Sequence, residues 1–259
     1  MSTSTIPQER RVPPLGGFNP TFVLLEMRRA LRNRRTLIFV LIMPIFLLFV
    51  LAKPNESQQF GDVNAMVYYV VAIGTYSAMV AGTAGGAAVS VERAQGWSRQ
   101  LRLTPLSPVA YIAMKIVTAM VLSAVSIIVV YVIGYAMGAR ESVGVMASSA
   151  VITWIGSLVF AGFGLFMGYL LPSENVMQFL GFALAILAFF GGIWVPLQLL
   201  PQLMQDISQF FPSYGMAQLA QAPLAGTGFN PEAFANFILW LLIFAGGAAL
   251  LYRRDTARV

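Results

Sequence analysis

The sequence lacks cysteine and histidine altogether and has few charged residues. Without cysteine there are no disulfides or thiolate metal sites, and without histidine there is no Ser-His or Cys-His catalysis and no imidazole metal ligand. Only 10% of the 259 residues are charged and 58% are apolar, whereas a soluble domain is about 25% charged. The composition therefore excludes a soluble enzyme and a disordered chain, and it indicates a lipid-embedded protein.

The apolar stretches also contain few groups that could do chemistry. No charged residue falls deep inside one of them, and Lys115 is expected at the end of one, where its long side chain can reach the interface. Ion-coupled transporters and intramembrane proteases need buried carboxylates, histidines or a metal site. No GxxxxGK[ST] phosphate loop is present either, so energy for uphill transport must come from a partner.

Six stretches are long enough to span a bilayer, which takes about 20 apolar residues. The predicted fold is an all-α integral membrane protein whose permease domain covers residues 36–252. The predicted spans are Thr36–Ala52, Met66–Val91, Ile116–Met137, Val145–Leu171, Val176–Val195 and Phe234–Tyr252.

The distribution of Lys and Arg predicts the orientation of these spans. With the N-terminus inside, 14 of the 16 basic residues lie on cytoplasmic segments, and Lys53 and Arg140 lie outside. Both termini, including the tail 253–259, are then cytoplasmic. The positive net charge is a topology signal and needs no nucleic-acid partner.

The N-terminal region divides into a flexible tail, residues 1–18, and a basic helix, residues 19–35. Asn19 is a good N-cap, and Pro20 suits the first helical position. At helical spacing, Val23, Met27 and Ala30 share a face with Leu24 and Leu31, and arginines lie opposite. The pattern predicts an interfacial helix on anionic membrane lipid; the alternative is a plain basic flank before the first span.

Residues 92–108 form the only sizeable inner loop between spans. The loop mixes charge with several large apolar side chains, which favours a docking surface. The alternative is a basic loop whose leucines dip into the membrane interface. A short helix that ends before Thr104-Pro105 is expected, because the residue before proline avoids the helical region.

The outer segment 196–231 separates the last two spans. Its apolar residues predict a helix from Gln202 to Phe211, stopped by Pro212, and a second stretch over Ser213–Leu224. Neither is long enough to span, so the pattern predicts a re-entrant helix pair before the last span. The alternative is a pair of interfacial helices that cap the bundle.

The inner loop reads Glu-Arg-x-x-Gly-x-x-x-x-Leu-x-x-Thr-Pro-Leu-Ser-Pro over Glu92–Pro108, and Gly191-Gly192-Ile193-Trp194-Val195-Pro196 precedes the last span. These motifs resemble those of the type-2 ABC exporter permeases, which include drug, antibiotic and polysaccharide exporters. Trp97 departs from the pattern, since the family often has a small hydroxyl residue there. The resemblance implies a half-transporter that pairs with itself or a similar permease chain and binds two cytoplasmic ATPase subunits, which hold ATP and Mg.

The resemblance also implies roles for named residues. In the inner loop, ATPase coupling is expected from Glu92, Arg93, Gly96, Trp97, Arg99, Leu101, Arg102, Thr104 and Pro105. An outer gate is expected from Pro196, Pro201, Leu203, Ile207, Phe210, Phe211 and Pro212. The family places the seam between permease copies along the first and fifth spans.

Aromatic and methionine side chains fill the spans, and a path lined by them with no fixed charge suits an amphipathic or hydrophobic substrate. Packing is the alternative for each of the candidates Tyr68, Tyr69, Tyr76, Met79, Phe160, Phe163 and Trp194. Two Gly-x-x-x-Gly pairs, Gly82/Gly86 and Gly164/Gly168, allow close helix approach within the chain or, alternatively, at a dimer contact.

The sequence therefore predicts the permease subunit of an ATP-driven exporter in a prokaryotic plasma membrane. The chain itself is expected to have no cofactor, no metal and no enzymatic activity. The alternative is a non-transport membrane scaffold or sensor partner, which explains the spans but not the inner loop or the outer helices.

Overall fold

The computed structural model describes residues 20–34, 38–96, 107–174 and 176–257 of the chain. Within these ranges the chain is mostly helical. The helices are α1 (Pro20–Arg32), α2 (Met43–Leu47), α3 (Ala65–Ala94), α4 (Pro108–Met137), α5 (Val143–Leu170), α6 (Val176–Phe190), α7 (Gln202–Ser208), α8 (Pro212–Ala225) and α9 (Pro231–Ala257). A two-residue hairpin, β1 (Gln59–Phe60) and β2 (Val63–Asn64), pairs Gln59 with Asn64 and Phe60 with Val63.

Among the described residues, four helices are long and apolar enough to cross a membrane: α3, α4, α5 and α9. Polar caps set the start of three of them. Asn64 accepts hydrogen bonds from the first backbone amides of α3, and Ser107 and Ser142 do the same for α4 and α5. Because the first amides of a helix lack intrahelical partners, these caps fix where each long helix begins. Gly138, in the left-handed region at φ 111°, ends α4.

The core lies between α3 and α5. The glycines of both helices make this packing possible: a Cβ on Gly86 would lie 2.5 Å from the Ala161 carbonyl oxygen, and one on Gly164 would lie 2.2 Å from that of Thr83. The Gly-x-x-x-Gly pairs therefore bring α3 and α5 of the same chain together, which is the first of the two alternatives given by the sequence. Helix α4 covers a second side of α3, and α9 packs on α5.

The first predicted span, Thr36–Ala52, is irregular where it is described. Helix α2 is flanked by π-helical turns over Ile38–Ile42 and Leu48–Ala52, and a 3₁₀ turn covers Lys53–Asn55. Pro44 has no N–H to donate, so the regular helical ladder is interrupted at this point.

Three boundary predictions were wrong. The third span was expected to begin at Ile116, but α4 begins at Pro108, and Lys115 is 2% exposed instead of reaching the interface. The fifth was expected to end at Val195, but α6 ends at Phe190 because Gly191 and Gly192 turn the chain, Gly192 with φ 73°. Helix α7 stops at Ser208 and does not reach Phe211.

Helix α1 lies against α4 rather than lying free on the bundle surface. Val23 is buried and Met27 and Ala30 are half-buried, as the predicted apolar face requires. Leu24, expected on the same face, is 47% exposed, and the partly buried Glu26 lies on the packed side instead. Helix α1 is thus rotated about its axis relative to the prediction, because Glu26 pairs with Lys115 of α4.

Candidate functional site: two ends of the bundle

Two polar regions lie at opposite ends of α3. We call the end formed by α1, the last turn of α3 and the first turns of α4 the basic end. We call the other, formed by the β-hairpin, residues 191–199, α7 and α8, the hairpin end. The 30 residues of α3 separate them by about 45 Å at 1.5 Å per residue.

A buried charged cluster holds the basic end together. Lys115 donates hydrogen bonds to Glu26 Oε2 at 2.8 Å and to Glu92 Oε1 at 2.5 Å. The Tyr111 hydroxyl donates to the other oxygen of Glu92, and Arg29 Nη1 lies 3.6 Å from Glu92 Oε1. We call Glu26, Arg29, Glu92, Tyr111 and Lys115 the Lys115 cluster.

The Lys115 cluster joins three helices. Glu26 and Arg29 come from α1, Glu92 from α3, and Tyr111 and Lys115 from α4. The side chains of Lys115 and Glu92 are 2% and 5% exposed, and taking such charges out of water is costly unless they are paired and hydrogen-bonded. Lys115 and Arg29 pair with the carboxylates of Glu26 and Glu92 and so meet this requirement. Because these contacts join α1 to α3 and α4, they hold α1 next to the end of α3.

Arg93 ties the same turn of α3 to α5. Its Nη1 donates to the carbonyl oxygens of Gly168 at 3.2 Å and Tyr169 at 2.9 Å, and its guanidinium lies 5.4 Å from the centre of the Tyr169 ring. Carbonyl groups in the last turn of a helix have no intrahelical donors and carry partial negative charge. Arg93 therefore caps the end of α5.

Of the nine residues predicted to couple to an ATPase, Glu92, Arg93 and Gly96 are described. Glu92 and Arg93 face the bundle, and Gly96 turns the chain out of α3 with φ 73°. The others, Trp97, Arg99, Leu101, Arg102, Thr104 and Pro105, lie outside the described residues, as does the short helix expected before Pro105. Their coupling role stays a prediction.

The hairpin end contains a cavity of about 470 Å³. Its walls are the β-hairpin, the first turns of α3, residues 191–199, α8 and the connection from α8 to α9. The Tyr68 hydroxyl donates to the Gly192 carbonyl oxygen, and Gln221 Nε2 donates to the Tyr68 carbonyl oxygen at 3.2 Å. These bonds connect α3, the Gly191-Gly192 turn and α8 around the cavity.

Of the seven candidate path residues, Tyr68 lines this cavity. Met79, Phe160 and Phe163 are buried in the core shared by α3 and α5, and Tyr76 packs edge-on against Trp194 at 6.2 Å. Tyr69 packs in a separate cluster with the first apolar segment. Most of these side chains therefore pack against other helices of the same chain. Their role in lining a substrate path stays a prediction.

The predicted gate residues occupy several environments. Leu203 and Phe210 are 70% and 77% exposed, and Ile207 is 40% exposed. Phe211 stacks on Phe190 with ring centres 4.3 Å apart. Pro196 lines the cavity, Pro201 precedes α7, and Pro212 is buried at the start of α8. The helix pair α7 and α8 is present, and its gating role is untested.

Asn236 of α9 holds that helix pair in place. Its Nδ2 donates to the carbonyl oxygens of Gln209 at 2.7 Å and Phe211 at 3.1 Å, and its Oδ1 accepts from the Gly215 amide at 3.1 Å. Asn236 was not predicted as a functional residue from the sequence. The signal was available, because a lone asparagine in an apolar span is costly in lipid unless it is hydrogen-bonded.

Glu26, Tyr111 and Gln221 were not predicted as functional residues from the sequence, and the environment predicted for Lys115 was wrong. The residues around a lysine near the start of an apolar helix are the same whether its side chain reaches water or forms an ion pair inside the bundle, so the local sequence does not distinguish the two. The distinguishing facts are that Glu26 and Glu92 lie within 3 Å of it, although they are 89 and 23 residues away in sequence. Only the packing of α1, α3 and α4 brings them together.

These features are those of a multi-pass membrane protein with an anchored loop at one end and a helix pair at the other. The family model "ABC-2 type transporter" matches residues 21–224, and the chain belongs to this family. It is an ABC transporter permease, and the family implies association with ABC ATPase subunits.

A curated relative covers nearly the whole chain. It is "Putative transport permease YvfS" of Bacillus subtilis (strain 168), 28% identical over 237 residues, which are 90% of this chain and 96% of the relative. The resemblance read from the loop and Gly-Gly motifs is thereby confirmed at the level of the family.

Proposed function

We propose that the chain is the membrane subunit of an ATP-driven exporter that moves an amphipathic or hydrophobic molecule out of a prokaryotic cell. ATP and Mg are held by two partner ATPase subunits, and this chain supplies neither cofactor nor catalysis. ATP binding closes the ATPase pair, residues 92–108 transmit that motion, and the substrate leaves past α7 and α8.

The anchoring of the inner loop is the observation that supports this proposal most directly. Glu92 joins the loop's start to α1 and α4, and Arg93 joins it to α5. A force applied to residues 97–106 therefore reaches three helices through short charge-assisted contacts. In this mechanism Glu92 and Arg93 position the loop, and the residues beyond Gly96 contact the ATPase.

The proposal counts six spans, because it includes the two shorter apolar helices, Val40–Asn55 and Val176–Phe190. Both present apolar side chains that the single chain leaves exposed. Phe46 and Phe49 are 57% and 55% exposed, and Phe182 of α6 is 70% exposed. We propose that a second permease copy, or a similar chain, packs along the first and fifth spans, where these faces are compatible with such a contact.

The function is tested with the chain and its cognate ATPase in lipid. Leu101→Ala combined with Arg102→Ala is expected to weaken ATPase binding by about a thousandfold, because central apolar and Arg anchors each contribute about 2 kcal/mol to an interface and each 1.4 kcal/mol is tenfold. Pull-down of the complex and ATP-driven transport in vesicles are the measurements. Arg140→Ala, at the hairpin end, is the matched control and should leave both unchanged.

Unchanged assembly and transport in the Leu101/Arg102 variant would remove the coupling role from this loop. A chain that co-purifies with no ATPase at all would instead favour the scaffold alternative.

Orientation is tested with single cysteines, since the natural chain has none. Ser57→Cys at the hairpin end and Gln95→Cys at the basic end both replace exposed side chains. A membrane-impermeant maleimide added to intact cells should label Cys at position 57 and, only after lysis, Cys at position 95. The reverse pattern would contradict a cytoplasmic inner loop.

A further inference from the structure

The cavity at the hairpin end has the size and lining of a binding site. Its volume of about 470 Å³ falls within the range of about 300–1,000 Å³ that is typical of small-molecule sites. It lies beside α8 and the Gly191-Gly192 turn, where a molecule leaving past the outer helices would pass. The roles predicted for the inner loop and for the outer gate assign no ligand to this cavity.

The lining combines apolar surface with uncharged polar side chains. None of the described residues that line the cavity is Asp, Glu, Lys or Arg. The lining side chains that can both donate and accept hydrogen bonds are Gln59, Gln198, Gln218, Gln221, Asn230, Thr75, Thr227 and Tyr68, whose hydroxyl donates to the Gly192 carbonyl oxygen. An ionic group would lose its hydration here without gaining a counter-charge, whereas a hydroxyl, which also donates and accepts, matches amide side chains.

Aromatic groups and one unsatisfied amide complete the site. Phe60 and Tyr68 line the same cavity, with their rings edge to face at 5.4 Å. Gln221 is held by its Nε2 bond to the Tyr68 carbonyl oxygen, but its Oε1 is buried and accepts no hydrogen bond within the described part of the chain. A buried acceptor without a donor is unusual in a folded protein, and this one belongs to a side chain that lines the cavity.

We propose that this cavity binds an uncharged, hydroxyl-bearing group, with Gln218 and Gln221 as its main hydrogen-bonding residues. The apolar surface of Phe60 and Tyr68 then contacts the C–H face of the same group. That this group is part of the exported molecule rests on the proposed function. The binding itself is a property of this chain and is tested without an ATPase.

The probe is tritiated maltotriose, a neutral oligosaccharide, in equilibrium binding to the purified full chain in lipid nanodiscs. Saturable binding is expected. Gln221→Leu and Gln218→Leu should each weaken it by about tenfold, because each removes hydrogen bonds and leaves a ligand hydroxyl unpaired. Trigalacturonate, of similar size but with three carboxylates, should bind at least about tenfold more weakly.

Gln58→Leu is the matched control. Gln58 is an exposed neighbour of Gln59 on the hairpin but does not line the cavity, and its substitution should leave binding unchanged. Thermal melting of each variant identifies any loss that comes from unfolding; two glutamine positions are used so that one misfolded variant does not decide the result.

Absence of saturable maltotriose binding, equal binding of trigalacturonate, or binding that folded Gln218→Leu and Gln221→Leu leave intact would overturn the proposal. These outcomes are independent of the Leu101/Arg102 experiment. Normal ATPase assembly without probe binding rejects the cavity proposal alone, and probe binding without ATPase assembly rejects the exporter proposal alone.

Discussion

Replacing Lys115 with methionine is expected to destabilise the protein by about 3–5 kcal/mol, the usual cost of removing one partner from a buried ion pair. Methionine keeps most of the volume of the side chain, so the loss comes from charge. The carboxylates of Glu26 and Glu92 would remain at the junction of α1, α3 and α4 without the ammonium that now contacts both. Arg29 alone, with its side chain 57% exposed and at least 3.6 Å away, cannot replace it.

The measurement is the free energy of unfolding in mixed micelles, supported by the melting temperature in nanodiscs. Lys53→Met is the matched control, because Lys53 also contacts a glutamate, Glu56, but both side chains are about half exposed. An exposed pair of this kind contributes about 0–1 kcal/mol. The two Lys→Met substitutions therefore separate the effect of burial from the loss of a lysine.

A triple variant, Glu26→Gln with Glu92→Gln and Lys115→Met, distinguishes charge from packing. It should recover most of the stability, since no buried charge is left without a partner and the remaining charge, on Arg29, is 57% exposed. If Lys115→Met is no more harmful than Lys53→Met, the cluster does not stabilise the basic end. If the triple variant recovers nothing, the lysine stem, not its charge, is what the site needs.

Gly164→Leu is expected to cost at least about 3 kcal/mol, the upper end of typical overpacking penalties. A Cβ at this position would lie 2.2 Å from the Thr83 carbonyl oxygen of α3. The obstacle is backbone within a helix, so it cannot rotate away as a flexible side chain could. The two central helices of the bundle would have to separate, and the packing of Phe160 and Phe163 would be lost with them.

Expression of folded protein by fluorescence-detected size exclusion, followed by the unfolding free energy, measures this effect. Gly246→Leu on α9 is the control, because a Cβ there meets nothing within 4 Å; its cost should stay within about 0.5 kcal/mol. Equal behaviour of the two variants would mean that α3 and α5 do not pack as closely as described here.

Much of the fold follows from local pattern. The positions of α3, α5 and α9 agree with the predicted spans to within a few residues, because long apolar runs with polar ends have one stable arrangement in lipid. The ends of the third and fifth spans were misplaced for a local reason too. The third span was predicted to begin after Lys115, but α4 begins at Pro108 because the residues before this single charge are mostly apolar. Helix α6 stops at a Gly-Gly turn inside an apolar run.

For the functional regions, the sequence determined some features and the tertiary structure determined others. The amino-acid sequence alone determined the class of the protein, through its lack of cysteine, histidine and charge, and the family, through the Glu92–Pro108 and Gly191–Pro196 motifs. Only the tertiary structure decided that Lys115 is paired rather than solvated and that Gln218 and Gln221 line one cavity. The physical reason is that a local pattern sets which segments enter lipid, whereas the pairing of buried polar groups depends on which helices meet.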